Sequence, residues 1–363
     1  MLRCSAALLT FAATALALSS GDLTVKLSAV SPVVASIDDI ILTAVVSNPT
    51  SEDIKFVKFG SVLDELPTKS FNVRKGDEAV TFSGVEIIPA LDIDAAFITI
   101  PAGGSIAVNH TVAASYAFEA AGTGVFTFET SVNLQVADGP DSELAHFVLE
   151  STSVDVEVTD DVAKRSVFPD DDESEVGLRT STPVCDNATR RNFLAAALKE
   201  ARAVAGGAAT NIKQSPNSAR FKTYFNDASR NDIWYNFDRV AGDLASSGNR
   251  GLHCKDRAGG LCAGGGVGAY VRLVTSGNNI ISSEAYFCDW FFGTKDLKAI
   301  CNGTNFPQTR VNVMLHELTH AVFRSTDTVY GCPGSRGLSS ANKKKNADNY
   351  TCFALHNYLA NTC

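Results

Sequence analysis

Val313-Met314-Leu315-His316-Glu317-Leu318-Thr319-His320-Ala321-Val322-Phe323 is the stretch on which the reading of this 363-residue chain turns. On a helix, residues four apart sit one turn apart on the same face, so both imidazoles can bind one ion. Glu317 points to the neighbouring part of that face, where it can reach a water at the ion without ligating the ion itself. Two histidine ligands and a general base on one helix is the zinc-peptidase arrangement. No other charge lies between Val313 and Phe323. A core helix with two satisfied histidines would leave Glu317 buried and unpaired, which costs several kcal/mol. The metal reading is the better one.

Working outward, residues 1–20 read as a secretory signal. Arg3 is the positive start, Ala6 to Leu18 the short apolar core, and Ala15-Leu16-Ala17 or Leu18-Ser19-Ser20 the cleavage site. That core is too short to span a bilayer, and nothing later reaches about 18 consecutive apolar residues. The expectation is a secreted, extracellular protein with no membrane partner. Cys4 goes with the signal. The other cysteines are Cys185, Cys254, Cys262, Cys288, Cys301, Cys332, Cys352 and Cys363, an even set confined to one half of the chain. In a secreted protein that reads as four disulfides in one domain, and the closely spaced pairs of a cysteine zinc site are missing. Glycosylation sequons occur at Asn109, Asn187, Asn302 and Asn349, whereas Asn48 precedes Pro49.

Residues 22–158 are strand-like. Leu23 to Leu27, Val125 to Leu134 and Thr152 to Val158 alternate apolar and polar, and Ile40 to Val46 reads as a buried strand. Turn residues such as Asn48-Pro49 and Lys75-Gly76-Asp77 separate them, the spacing of an all-β sandwich. Residues 159–179 are acidic and poor in aromatics, a solvated linker with a dibasic processing site at Lys164-Arg165 and a second candidate at Arg179. Beyond it, Asn192 to Ala205 has helical periodicity through Phe193, Leu194, Ala197, Leu198, Ala201 and Val204. Phe221 to Leu244 continues helically, Ala269 to Val274 is strand-like, and a terminal helix runs from about Ser340 to Ala360.

Charge divides the chain at the same place. Residues 1–179 carry 10 Lys and Arg against 27 Asp and Glu, a net of −17; residues 180–363 carry 21 against 13, a net of +8. An acidic β-rich half, a dibasic linker and a basic cysteine-rich half are what a propeptide masking its own enzyme would look like. The Lys343-Lys344-Lys345 run reads as a solvated helix start, so no nucleic-acid partner is expected.

Catalytic zinc needs a third protein ligand. No glutamate follows Glu317, and the helix is not extended by a glycine and a third histidine. Asp327 and Asp348 are the aspartates after the motif, and His356 sits among Phe353, Leu355 and Leu359 as a packing residue. The run Arg324-Ser325-Thr326-Asp327-Thr328-Val329-Tyr330-Gly331 resembles the signature of the deuterolysin family, the aspzincin metallopeptidases of fungi: a two-histidine helix followed by G-T-x-D-x-x-Y-G. Asp327, Tyr330 and Gly331 match. Arg324 stands for the glycine, Ser325 for the threonine, and the segment from His320 to Asp327 looks shorter than usual. The resemblance extends to Asn346-Ala347-Asp348-Asn349-Tyr350, to the cysteine spacing and to the acidic β-rich first half, essentially the whole chain.

The resemblance implies that His316, His320 and Asp327 bind one Zn2+ per chain. It makes Glu317 the general base, Tyr330 a donor to the oxyanion, and Asp348 the orienting partner of a ligand histidine. It implies Cys185–Cys254, Cys262–Cys288 and Cys301–Cys363 as disulfides, and Cys332–Cys352 is what then remains. The architecture expected is two domains, an all-β sandwich-like propeptide followed by a mainly α (α+β) zincin-like metallopeptidase domain. Its division is a signal at 1–20, propeptide at 21–165, linker at 166–179 and peptidase at 180–363. The function expected is a secreted zinc endopeptidase made as a zymogen, acting on protein or peptide substrates and held by its own propeptide before processing. A catalytically inactive zincin-fold binding module is the alternative. A β-sandwich adhesion protein with a structural metal fits less well, because a closed four-ligand site would leave Glu317 without a task.

Overall fold

Alternation decides the first half. In the strand Ile41–Ser47, Leu42, Ala44 and Val46 are fully buried while their neighbours face outward. This strand lies between Thr24–Ala29 and Ser105–Thr111 in an antiparallel three-stranded sheet. A five-stranded sheet follows the order Val33–Ser36, Ser153–Asp161, Gly124–Thr130, Phe71–Lys75, Glu78–Ala79, with only the first pair parallel. A four-stranded sheet orders Ala145–Val148, Asn133–Val136, Ile54–Val57 and Phe97–Ile100. Phe56, Phe71, Phe118, Phe126 and Phe128 fill the space between them. These details come from a computed structural model describing residues 23–167, 183–215, 218–242, 249–256, 260–276 and 279–363. The expected signal, the acidic run from Pro169 to Glu175 and Arg179 lie outside the described residues.

Two expectations for the first half change. The stretch Val125 to Leu134 is not one strand: the chain leaves the five-stranded sheet after Thr130 and enters the four-stranded one at Asn133. The two-sheet sandwich is replaced by three sheets, and one strand of the acidic half belongs to none of them. Val85–Pro89 pairs antiparallel with Val267–Ser276 of the basic half, with Ile87 opposite Tyr270 and Glu86 opposite Val271. It completes a mixed four-stranded sheet ordered Asn249–His253, Asn279–Phe287, Val267–Ser276, Val85–Pro89.

The second half stacks helices on that sheet. Ala188–Gln214 is capped by Asn187, whose side chain accepts from the N–H groups of Thr189 and Arg190. It packs against Arg230–Gly242, the motif helix Arg310–Phe323 and the terminal helix Ala347–Thr362. The stretch expected as helix from Phe221 to Leu244 is interrupted: Ala219–Phe225 ends at Asn226, whose φ of 48° no α-helix contains. Every residue from Val311 to Val322 is buried, and each fully buried Leu or Met there contributes about 1.5–3 kcal/mol.

All four disulfides follow the expected pairing: Cys185–Cys254, Cys262–Cys288, Cys301–Cys363 and Cys332–Cys352. One sequon does not survive folding. Asn349 is fully buried, and its Nδ2 donates to the carbonyls of Tyr224 and Ser335 at 2.7 and 2.9 Å. No glycan fits on that nitrogen in this fold. Asn109, Asn187 and Asn302 are exposed.

Hydrophobic contact is divided three ways. One core is built of the first half alone, and a second almost wholly of the second half. A third joins Val57, Phe59, Val85, Ile87 and Leu144 to Val267, Tyr270, Tyr286 and Tyr330. The two halves are thus welded by apolar burial beside the motif helix. Polar links from the acidic half lie around it: Trp290 Nε1 donates to Asp92, and Gln308 donates to Asp141, both at 2.6 Å.

Candidate metal centre

The motif helix ends in a left-handed turn. Arg324 has φ 60° and ψ 45° and caps the helix through its N–H to the His320 carbonyl. This is the position where the signature has glycine, and a residue with a Cβ there costs about 1–2 kcal/mol. The last carbonyls are met by Arg239 at Val322 and Arg250 at Ala321. The turn sends the chain back along the helix. Thr326 bridges to Asn346, and the Asn346 side chain accepts from the N–H groups of Thr328 and Val329. Asp327 is thereby delivered opposite the two histidines.

The geometry that results is a triangle. His316 Nε2 and His320 Nε2 are 3.0 Å apart, and Asp327 Oδ1 lies 3.0 Å from the first and 3.3 Å from the second. His316, His320 and Asp327 are the His/Cys/Asp/Glu cluster of metal-binding size among the described residues. Both far nitrogens are engaged: His316 Nδ1 bonds Asp348 Oδ1 at 2.7 Å, and His320 Nδ1 bonds the Ser325 carbonyl at 2.8 Å. A carbonyl or carboxylate oxygen only accepts, so in the neutral rings the protons sit on Nδ1 and both Nε2 atoms present bare lone pairs. Three lone pairs converging on one point in a buried site repel one another unless a cation sits between them. Ligands about 2.0–2.1 Å from zinc in a tetrahedron lie roughly 3.3–3.4 Å apart, within a few tenths of an ångström of the triangle. The residues fit the metal.

The surrounding carboxylates draw positive charge to the site. Burial alone would lower both imidazoles, but Asp327, with Asp348 at His316, outweighs it; His316 is raised well above the ordinary range and His320 to about 9. Burial would raise Asp327, but the two histidines hold it far below the usual carboxylate range. Burial pushes Glu317 up to about 8 against the pull of both imidazoles. Both Glu317 oxygens are buried and have no hydrogen-bond partner. A buried carboxyl group left without a hydrogen-bond partner beside three converging ligand atoms calls for a task at that site.

The sequence-predicted residues therefore gather: His316, Glu317, His320, Asp327, Tyr330 and Asp348 share one site. Asp348 also accepts from the Gly331 N–H, and Cys332–Cys352 ties that loop to the helix carrying Asp348. Tyr330 is buried with its hydroxyl raised far above its usual range, by burial first and then by Asp327. His356 is a packing residue, with Tyr224 stacked on its ring and bonded to Nδ1 at 3.0 Å. A cavity of about 460 Å³ opens beside Gly331 and Asp348, walled by Trp290, Phe306 and His356 from the second half and Leu144 from the first.

Other residues at the site were not read from the sequence. Ser325 holds His320 through its carbonyl and bonds Thr319 Oγ1 at 2.6 Å. Glu86 Oε2 accepts from the Asp327 N–H at 3.1 Å, and the Ile87 N–H donates to Asp327 Oδ2 at 2.9 Å. Burial, and then the Asp327 charge, push Glu86 up to about 7. Gln135 bonds both backbone atoms of Tyr330. The signal for Glu86 was a lone charge inside the apolar run Val85 to Pro89; nothing marked Gln135.

The family model described as deuterolysin metalloprotease (M35) matches residues 1–361. The chain belongs to the deuterolysin metalloprotease family. Curated relatives match most of its length. Penicillolysin of Penicillium citrinum is 28% identical over 344 residues, covering 90% of this chain and 91% of its own. A neutral protease 2 homologue of Botryotinia fuckeliana is 27% identical with 89% of each chain covered. One from Pyricularia oryzae is 28% identical with 86% of each covered. Among solved structures, an exo β-N-acetylglucosaminidase of Vibrio harveyi overlaps at 11% identity and a TM-score of 0.14, which carries no argument. As a deuterolysin-family metalloprotease this chain is a hydrolase of peptide bonds of a zinc-dependent kind, and its His/His/Asp triangle is where the metal fits.

Proposed function

We propose that this chain is a secreted zinc endopeptidase made as a zymogen, with His316, His320 and Asp327 as the ligands of one zinc. The observation that carries the reading is the triangle of bare ligand atoms with the orphaned Glu317 carboxylate beside it. Zinc in this site supplies Lewis acidity, to a water and to the carbonyl of a bound peptide. Glu317 takes the water's proton on a carboxylate oxygen and returns it to the leaving amine nitrogen. The Tyr330 hydroxyl donates to the oxygen on which negative charge develops, a contribution of about 3 kcal/mol for a well-placed donor. Asp348 and the Ser325 carbonyl hold the His316 and His320 rings in the tautomer that keeps Nε2 free. An inactive binding module would have no use for Glu317, whose burial without a partner costs stability.

Residues 21–165 are the inhibitory propeptide in this reading, 166–179 the linker and 180–363 the peptidase, with the signal at 1–20. Latency is supported by the strand Val85–Pro89 paired beside the triangle and by the burial of Tyr330 among Val57, Phe59 and Leu144. No described helix is long and apolar enough to cross a membrane. Arg165 is tied to Asp38 and Asp161, at 2.7 and 2.6 Å, so a protease cutting after it must first break those pairs. A cut after Arg179 leaves a peptidase starting near Thr180, and from Val184 the described chain already pairs with the second half at His253.

N-terminal sequencing of the active secreted form, with casein hydrolysis by the cut and uncut chains, checks this. The expected start is near Thr180, with the uncut chain the less active. Full activity of the uncut chain refutes latency, and a start upstream of residue 100 refutes the boundary.

A further inference from the structure

The loop carrying Asp327 and Tyr330 is gripped from two sides. The peptidase side supplies Asn346 to the Thr328 and Val329 N–H groups and Asp348 to the Gly331 N–H. The other grip comes from the acidic half. Glu86 accepts from the Asp327 N–H, and the Ile87 N–H occupies Asp327 Oδ2, leaving Oδ1 facing His316 and His320. Gln135 uses its whole amide on one residue: its Oε1 accepts from the Tyr330 N–H at 2.5 Å and its Nε2 donates to the Tyr330 carbonyl at 2.6 Å. Gln135 is 5% exposed and Glu86 8%. Both side chains reach across the interface to the single four-residue span from Asp327 to Tyr330. Removing the acidic half removes every one of these bonds at once.

We infer that Glu86 and Gln135 are positioning residues for the metal centre, acting through the Asp327–Tyr330 loop, so that the uncut chain holds its zinc more firmly than the processed enzyme does. The inference rests on the zinc reading above and adds a second task for the propeptide: it templates the third ligand as well as covering the site. A hydrogen bond to a ligating carboxylate selects which oxygen faces the metal, and losing such outer contacts weakens metal binding about 10- to 100-fold. The left-handed Arg324 just before the loop makes outside support more consequential, since the turn does not adopt that conformation freely. Zinc is thus best acquired before processing, with the propeptide in place.

The test is the rate at which zinc passes from the purified full-length chain to a chromophoric chelator, compared with the processed enzyme. Release from the uncut chain should be about 10- to 100-fold slower. Gln135→Ala and Glu86→Ala should each bring the uncut chain toward the processed rate. Glu86→Gln, which keeps an oxygen for the Asp327 N–H, should stay slow. Asp141→Ala breaks the Gln308 link in the same interface but away from the loop, and should release zinc as the parent does. If Gln135→Ala does not fold, the three-way comparison at Glu86 reads the same quantity. Equal release from cut and uncut parent chains overturns the inference, as does parent-like release from Gln135→Ala and Glu86→Ala. A chain that takes up no zinc in either form overturns the metal reading beneath it.

Discussion

Glu317→Gln should abolish peptide hydrolysis by a factor of at least ~10² while leaving zinc content unchanged, the size expected for losing a general base. The substitution keeps shape and volume. Neither Glu317 oxygen makes a hydrogen bond that the amide would break, and burial already opposes the charged form. The fold should therefore be at least as stable as the parent's, and a thermal melt beside zinc analysis separates loss of chemistry from loss of structure. Activity retained in a zinc-loaded Glu317→Gln enzyme would remove this residue from its role.

Alanine at His316, His320 or Asp327 should act earlier, by emptying the site. Each contributes one corner of a triangle with sides of 3.0–3.3 Å, and two remaining corners leave the metal without a third protein ligand. Zinc content should fall close to zero in all three, with activity falling alongside. Asp348→Ala is expected to behave differently. It touches the metal only through His316 Nδ1 and the Gly331 N–H, so zinc affinity should drop about 10- to 100-fold without vanishing. Zinc lost completely from Asp348→Ala but kept by Asp327→Ala would exchange their roles.

How much of this was legible in the sequence follows the range of the contacts. His316, Glu317 and His320 share one helical turn, so spacing alone placed them together. Asp327 and Tyr330 follow within one loop, and the family resemblance reached them because their spacing from the helix is nearly kept. The substituted glycine at Arg324 marked the one residue of the turn with positive φ. Gln135 and Glu86 act across 195 and 241 residues, where no local periodicity operates. The strand Val85–Pro89 was equally hidden: a short apolar run reads the same whether it joins its own sheet or its neighbour's. The Asn349 sequon failed for a related reason. Its tripeptide is intact, but the side chain is the buried link between the terminal helix, Tyr224 and Ser335.

Direct metal analysis coupled to casein hydrolysis tests the central claim most closely. The processed enzyme, purified without added metal, is assayed as isolated, after dialysis against a chelator, and after zinc is restored. The account predicts about one zinc per chain, loss of both zinc and activity on chelation, and recovery of both on adding zinc back. Casein hydrolysis that persists in the zinc-free protein, or a zinc-loaded protein that never cleaves casein, would contradict it.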